Sequence, residues 1–285
     1  MSMVSLRSLL DAATAGRYAV GAFNCNNMEI VQAIIGAAEK EASPVIIQAS
    51  QGAIKYAGLE YIAALVRVAA EKSGVPVALH LDHGTSFAQA MQCIRAGFTS
   101  VMFDGSALPL EENIAITRRI VEVAHAVGVS VEAELGRIPG TEDELSVAEQ
   151  QALFTAPDQA SEFAAATGVD ALAVAVGTAH GHYKGEPKLD FPRLAQIASQ
   201  VPVPLVLHGS SGVPDDAIRQ AVSLGIRKIN IDTDVREAFS GSLRETLAAQ
   251  ATQTDPRKIL GPAREAMEEV VRRKMRVFGC AGRAG

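Results

Sequence analysis

Short apolar runs closed by a polar residue recur along this chain, and stretches with helical spacing of apolar positions lie between them. Residues 18–24, 44–50, 75–79, 100–104, 130–136, 171–177, 204–208 and 228–232 read as strands. Their near-continuous apolar character suits a parallel sheet buried on both faces. The segments between them read as helices. Residues 5–14 place Leu6, Leu9 and Leu10 on one side behind a Ser5 cap, and Asn27 caps a stripe of Met28, Val31, Ile34 and Ile35. Further helices fit at 60–72, after a Ser86 cap, at 110–127, around Ala148 and Gln159, and at 193–199, 215–223 and 235–249. Residues 137–144 read as a longer polar insertion after the fifth strand. Eight β-α units without a linker predict an α/β fold: a single (β/α)8 TIM barrel over 1–285, with a short N-terminal helix and an extra C-terminal helix at 262–275.

In such barrels the C-terminal strand ends carry the chemistry. Asn24, Ser50, Asp82, His83, Asp104, Glu134, His180, His208, Asn230 and Asp232 all fall at those ends. One polar rim of this density is an expensive accident for a purely structural barrel. Three histidines, His83, His180 and His208, share one context: each closes an apolar run and each precedes glycine. A lone histidine at a strand end is as often structural, but three neutral imidazoles with an open fourth position make a catalytic zinc site. Asp82 beside His83 is an acid/base candidate. Glu132 and Glu134 point to one face of their strand, where an unpaired buried charge is costly, so a metal or a nearby cation is expected there. Asp104 and Glu134 read equally as alternate ligands or as carboxylates orienting the histidines. His80 reads as support, and His125 and His182 take no ligand role. Gly209-Ser-Ser-Gly212, between the seventh strand and a helix near Asp215, offers backbone N–H groups and hydroxyls to a phosphate, with Thr233 opposite.

These motifs resemble one family. Leu-Asp-His-Gly at 81–84, Glu-Ala-Glu-Leu-Gly at 132–136, Gly-Thr-Ala-His-Gly at 177–181, His-Gly-Ser-Ser-Gly at 208–212 and Asn-Ile-Asp-Thr at 230–233 are similar to those of class II, zinc-dependent ketose-bisphosphate aldolases. The likeness continues through Asp255-Pro-Arg257 and the tail 278–283. It implies Zn2+ on His83, His180 and His208, a monovalent cation as a second cofactor, and Asp82 as the proton-transferring residue at the C4 oxygen. It implies dihydroxyacetone phosphate binding by Gly181, Gly209, Ser210, Ser211, Asn230, Ile231, Asp232 and Thr233, with Asn24 at the same rim. Glu142 would exchange the C3 proton, and Ser50 and Arg257 would meet the far phosphate, the arginine from a neighbouring subunit of a homodimer or homotetramer. Pro139-Gly140-Thr141 departs from the family pattern and would stiffen the loop before Glu142. Asp232 favours fructose 1,6-bisphosphate over its tagatose epimer. A zinc hydrolase on the same barrel would want a His-x-His pair where this chain has Phe23-Asn-Cys25, and a non-catalytic phosphosugar-binding barrel is the rival from another class.

Composition narrows the partners. A net charge of −6 over 285 residues leaves no basic surface for nucleic acid, and Arg272-Arg273-Lys274 reads as a solvated helix end. Cys25, Cys93 and Cys280 are scattered and odd in number, which argues for reduced thiols and a cytoplasmic setting. The N-terminal residues do not read as a signal peptide, and no apolar run approaches the ~20 residues that span a bilayer. The resemblance implies a small sugar bisphosphate as the partner, and composition leaves no nucleic acid and no membrane beside it.

Overall fold

The computed structural model describes residues 3–142, 145–147, 153–183 and 185–285. Its strands are β1 (Val20–Asn24), β2 (Val45–Ser50), β3 (Val77–Gly84), β4 (Ser100–Phe103), β5 (Ser130–Leu135), β6 (Gly140–Glu142), β7 (Leu145–Val147), β8 (Ala171–Val174), β9 (Leu205–Leu207) and β10 (Ile226–Ile231). All but β6 and β7 close a parallel barrel in the order β1-β10-β9-β8-β5-β4-β3-β2, and β6 and β7 pair as an antiparallel hairpin. The helices are α1 (Leu6–Gly16), α2 (Met28–Lys40), α3 (Gln51–Ala57), α4 (Leu59–Lys72), α5 (Phe87–Arg95), α6 (Leu110–Ala126), α7 (Pro157–Thr167), α8 (Phe191–Gln200), α9 (Asp215–Ser223), α10 (Thr233–Ala249) and α11 (Pro256–Phe278). The expected caps form: Ser5, Asn27 and Ser86 accept hydrogen bonds from the backbone N–H groups of Ser8, Ile30 and Gln89.

Strand register decides what fills the barrel. Asn24 lies opposite Gln48, Gln48 opposite His80, His80 opposite Ser100, Met102 opposite Glu132, and Ala22 opposite Asn230. Because side chains alternate along a strand, this single phase turns Gln48, His80, Glu132, Lys228 and Asn230 towards the axis. The opposite phase, with Ile47, Leu79, Val101, Phe103, Leu172 and Ile229, is fully buried as well. Such a barrel normally packs its interior with Val, Ile and Leu. Here it holds an ion pair instead: Lys228 Nζ lies 3.0 Å from Glu132 Oε2, and both side chains are 0% exposed. Lys228 is thus the nearby cation expected for Glu132, while Glu134 lies 3.3 Å from His208 Nδ1.

Four local expectations change. The third strand continues through Asp82 and His83 to Gly84 instead of ending at residue 79. Ser50 caps a helix directly, accepting from Ala53 N–H, so α3 follows β2 without a linker. The insertion at 137–144 contains the hairpin strand β6, while the helix expected around Ala148 falls outside the described residues. The last helix starts at Pro256, not at 262: Asp255 caps it, Pro256 occupies its first turn, and Pro262 sits inside. Proline there removes one backbone hydrogen bond. The buried stripe of Ala263, Met267, Val271, Met275 and Phe278 holds the helix in place nonetheless.

The basic run 272–274 is a docking feature, which corrects its reading as a solvated end. Lys274 is 2% exposed and pairs with Asp234 Oδ2 at 2.6 Å, joining α11 to the start of α10. Glu41 accepts from Arg272 at 2.8 Å and Arg276 at 2.6 Å, and Lys40 pairs with Glu268, so α11 is clamped onto the end of α2. No described helix is long and apolar enough to cross a membrane.

The hydrogen bond from Arg276 holds the Glu41 carboxyl below its usual range, against the opposing effect of burial and with help from Arg272. A carboxyl depressed on folding stabilises the native state above its unfolded pKa, about 4.3, and loses that contribution as pH falls through the lower folded value. Glu41→Gln should therefore flatten the fall of stability below about pH 4.3 in denaturant titrations and lower stability at neutral pH. An unchanged acid limb would contradict the assignment.

Candidate active site

Adjacent residues on a regular strand face opposite sides. Asp82 and His83 share the barrel mouth because the ladder between β3 and β4 shifts register between Leu81 and Gly84, and His83 adopts a left-handed backbone with φ 47°. That conformation costs a non-glycine residue about 1–3 kcal/mol, and such strain gathers at functional sites. Three amides hold the buried Asp82 carboxylate. Asn24 Nδ2 (2.9 Å) and Gln48 Nε2 (3.0 Å) donate to Oδ2, and Asn230 Nδ2 (3.2 Å) donates to Oδ1.

His83, His180 and His208 converge. Their ring centroids are 4.7–6.0 Å apart, and one ligand atom from each lies within 4.8 Å of the others. His83 Nδ1 meets Asp104 Oδ2 at 2.8 Å, and His208 Nε2 meets Glu132 Oε1 at 2.9 Å. The remaining nitrogens, His83 Nε2 and His208 Nδ1, face each other at 3.0 Å. Burial pulls the His208 imidazole down to about 4, opposed by the Glu132 carboxylate, so the ring is neutral at working pH. Burial favours neutral Glu132, yet Lys228, His80 and His208 hold its carboxyl well below the usual range. Asp104 is likewise depressed by its hydrogen bond to His83, against burial. Ionised Glu132 takes the single N–H of His208, which leaves Nδ1 an acceptor facing His83 Nε2 at 3.0 Å and Glu134 Oε2 at 3.3 Å. A positive charge belongs between the two rings. Tetrahedral zinc at 2.0–2.1 Å from each nitrogen would set them roughly 3.3 Å apart, and carboxylates behind the outer nitrogens are the usual support of metal-bound histidines. The donor set fits zinc. A second group, His83, Asp104 and Glu134, meets the same distance test and shares His83.

Beside this cluster opens a cavity of about 850 Å³, lined by Asn24, His180, Gly181, Gly209, Ser210, Ser211, Asn230, Asp232 and Thr233 among others. Ser211 Oγ accepts from the backbone N–H groups of Asp232 (3.3 Å) and Asp234 (3.2 Å), which ties the loop after β9 to the start of α10. Glycine loop, hydroxyls and helix N-terminus are groups that can cradle an anion.

The family model for class II fructose-bisphosphate aldolase matches residues 4–283. The chain belongs to that family. A fructose-bisphosphate aldolase of Thermus caldophilus is 50% identical, covering 99% of this chain and 100% of its own, and one of Geobacillus stearothermophilus is 48% identical, covering 100% and 99%. Among solved structures, the YdjI aldolase of Escherichia coli K12 matches with a TM-score of 0.88 and 35% identity, covering 99% of this chain and 100% of that one. The fructose-bisphosphate aldolase of Campylobacter jejuni matches at 0.84 and 27%, covering 98% and 96%. This protein is therefore an aldolase, a carbon–carbon lyase acting on a sugar phosphate.

Not every expected site residue of this aldolase reaches the cavity. Asp82 lies behind Asn24 and Asn230, which line it. Ser50 is buried as the α3 cap, although Gly52 and Ala53 of that helix reach the wall. Ile231 packs in the core. Arg257 is exposed at the start of α11, where it pairs with Asp255 at 2.8 Å, away from the cavity of its own chain. Glu142 ends β6, and its side chain is outside the described residues. Pro139-Gly140 docks on a zinc-ligand candidate: His180 N–H donates to Pro139 O at 2.8 Å, and a Cβ at Gly140 (φ 111°) would stand 2.2 Å from His180 O. The main chain at 139–140 therefore seats the His180 backbone, through a carbonyl and a missing Cβ and not through the proline ring.

Sequence reasoning passed over Tyr183, Lys228 and Arg236. Lys228 was discoverable, since it sits two residues before Asn230 on one strand and so shares its inward face. Arg236 lines the cavity and pairs with Asp232 at 2.7 Å, and Glu237 meets His182 across the rim at 3.3 Å. Tyr183 carries no sequence signal. Its hydroxyl donates to Gly209 O at 2.7 Å and accepts from Ala179 N–H at 2.9 Å, joining the loops of His180 and His208. Burial pushes that phenol up to about 12, so it keeps its proton. The same two loops touch where a Cβ at Gly209 (φ 61°) would stand 2.4 Å from Ala179 O. Tyr183→Phe should weaken zinc retention against a chelator by about tenfold, on the scale of lost support around metal ligands. Unaltered retention and turnover would show that the loops hold their spacing without it.

Proposed function

We propose that this aldolase reversibly cleaves fructose 1,6-bisphosphate to dihydroxyacetone phosphate and glyceraldehyde 3-phosphate, with zinc on His83, His180 and His208. One observation carries the metal: His208 Nδ1, left an acceptor by Glu132, faces both His83 Nε2 and the Glu134 carboxylate, with ionised carboxylates behind both rings. Zinc bound there supplies Lewis acidity toward the negative charge left on the ketone half when C3–C4 breaks. Asp82 takes the C4 hydroxyl proton as that bond breaks and returns it in condensation. Asn24, Gln48 and Asn230 hold its two oxygens in fixed directions, the preorganisation such a transfer needs. Glu142 exchanges the C3 proton. Asp104 and Glu134 steady the histidines and provide a second resting position for the ion with His83. A monovalent cation is the second cofactor.

Gly181, Gly209 to Ser211 and Asn230 to Thr233 hold the dihydroxyacetone phosphate end, with Ile231 acting through its backbone. Ser50 and Arg257 serve the far phosphate. Arg257 is exposed and outside its own chain's cavity, which supports delivery from a neighbouring copy in a homodimer or homotetramer. Residues 1–285 act as one catalytic domain in the cytoplasm, where the buried free thiols suit reducing conditions. The names of the Thermus and Geobacillus relatives and the Asp232 side chain at the cavity support fructose over the tagatose epimer.

Purified protein assayed on both epimers, with and without a chelator, tests this reading. Fructose 1,6-bisphosphate should be cleaved faster, chelation should abolish cleavage, and added zinc should restore it. Faster cleavage of the tagatose epimer would retire the substrate assignment. Full activity after verified zinc removal would retire the metal.

A further inference from the structure

Lys228 stands inside the barrel with no part in the chemistry described so far. Its ammonium is fully buried and makes contacts of two kinds: to Glu132 Oε2 at 3.0 Å and Oε1 at 3.2 Å, and to Asn230 Oδ1 at 2.8 Å. The second contact matters for direction. An ammonium has donors and no acceptor, so it admits only the oxygen end of the Asn230 amide. With Oδ1 fixed on Lys228, Nδ2 must point the other way, and there it donates to Asp82 Oδ1 at 3.2 Å. A flipped amide would put an oxygen against a carboxylate oxygen. The amides on the other Asp82 oxygen have no such anchor in their contacts with each other: Gln48 Nε2 donates both to Asn24 Oδ1 at 2.7 Å and to Asp82.

We propose that Lys228 is a positioning residue for Asp82: the buried ammonium sets the polarity of the Asn230 amide, which in turn aims the carboxylate at the C4 hydroxyl. Lys228 touches neither substrate nor metal. Its partner Glu132 keeps the charge tolerable in the barrel, since breaking a buried pair leaves an uncompensated ion. The inference rests on Asp82 as the group that moves the C4 proton.

Two reactions separate this role from a structural one. Cleavage of the bisphosphate needs the C4 proton transfer, whereas uptake of solvent deuterium into dihydroxyacetone phosphate needs only C3 chemistry. Lys228→Met should lower cleavage kcat by about a hundredfold, the scale of a misplaced catalytic group. KM should stay within about threefold, and deuterium uptake within about fivefold. Asn230→Ala should lose cleavage at least as strongly, and should weaken uptake as well because Asn230 also holds the dihydroxyacetone phosphate end. The double variant should be no slower in cleavage than Asn230→Ala alone, because residues acting in series are not additive. If Lys228→Met does not fold, the comparison of Glu132→Gln with Glu132→Gln/Lys228→Met should show the same selective loss of cleavage. Multiplying effects of the two substitutions, or equal loss of cleavage and uptake in the lysine variants, would overturn the role of Lys228. Asp82→Asn should abolish cleavage and spare uptake. Loss of uptake in that variant would overturn the reading of Asp82 and this inference with it.

Discussion

Two ring nitrogens, His83 Nε2 and His208 Nδ1, face each other at 3.0 Å inside a closed barrel. That contact constrains everything around it. Each outer nitrogen is committed to a carboxylate, Asp104 on one side and Glu132 on the other. The carboxylates are ionised because cations and donors outweigh the penalty of burying them. Remove the positive charge between the rings and two lone pairs repel each other in a low-dielectric interior, where such effects are largest. A cation between the rings, held by Asp104, Glu132 and Glu134 behind them, would relieve that conflict.

The same economy of charge explains the barrel interior. Glu132 needs Lys228, Lys228 orients Asn230, and Asn230 helps hold Asp82. An apolar filling of equal volume would be at least as stable, since a buried ion pair is weak evidence for stability. Its presence at the axis, in hydrogen-bond contact with His208 on one side and linked through Asn230 to Asp82 on the other, is better explained by what it aims than by what it stabilises. Stability is supplied elsewhere, by the outward faces of the strands against their helices and by α11 clamped across α2 and α10 through Glu41 and Asp234.

The barrel was legible because alternating apolar runs and amphipathic stretches need only local periodicity. So were the metal candidates, because three histidines at strand ends before glycine share a context that chance rarely repeats. What was illegible depended on three dimensions. Nothing at Tyr183 announces that its hydroxyl bridges Ala179 and Gly209. The register shift that brings Asp82 and His83 to one mouth is a property of the β3–β4 ladder, not of either segment. Pro262 suggested a helix start because proline is favoured there, yet the Asp255 cap and the buried stripe beyond it carried the helix through. Lys274 looked solvated in a run of three bases until Asp234 was found opposite it.

The central claim is that these three imidazoles close on one cation. Anomalous diffraction from crystals of the zinc-loaded protein, collected on both sides of the zinc absorption edge, tests it directly. A single strong peak should lie within about 2.0–2.2 Å of His83 Nε2, His208 Nδ1 and a ring nitrogen of His180. Zinc bound elsewhere, with the facing nitrogens still 3.0 Å apart and no peak near them, would contradict it.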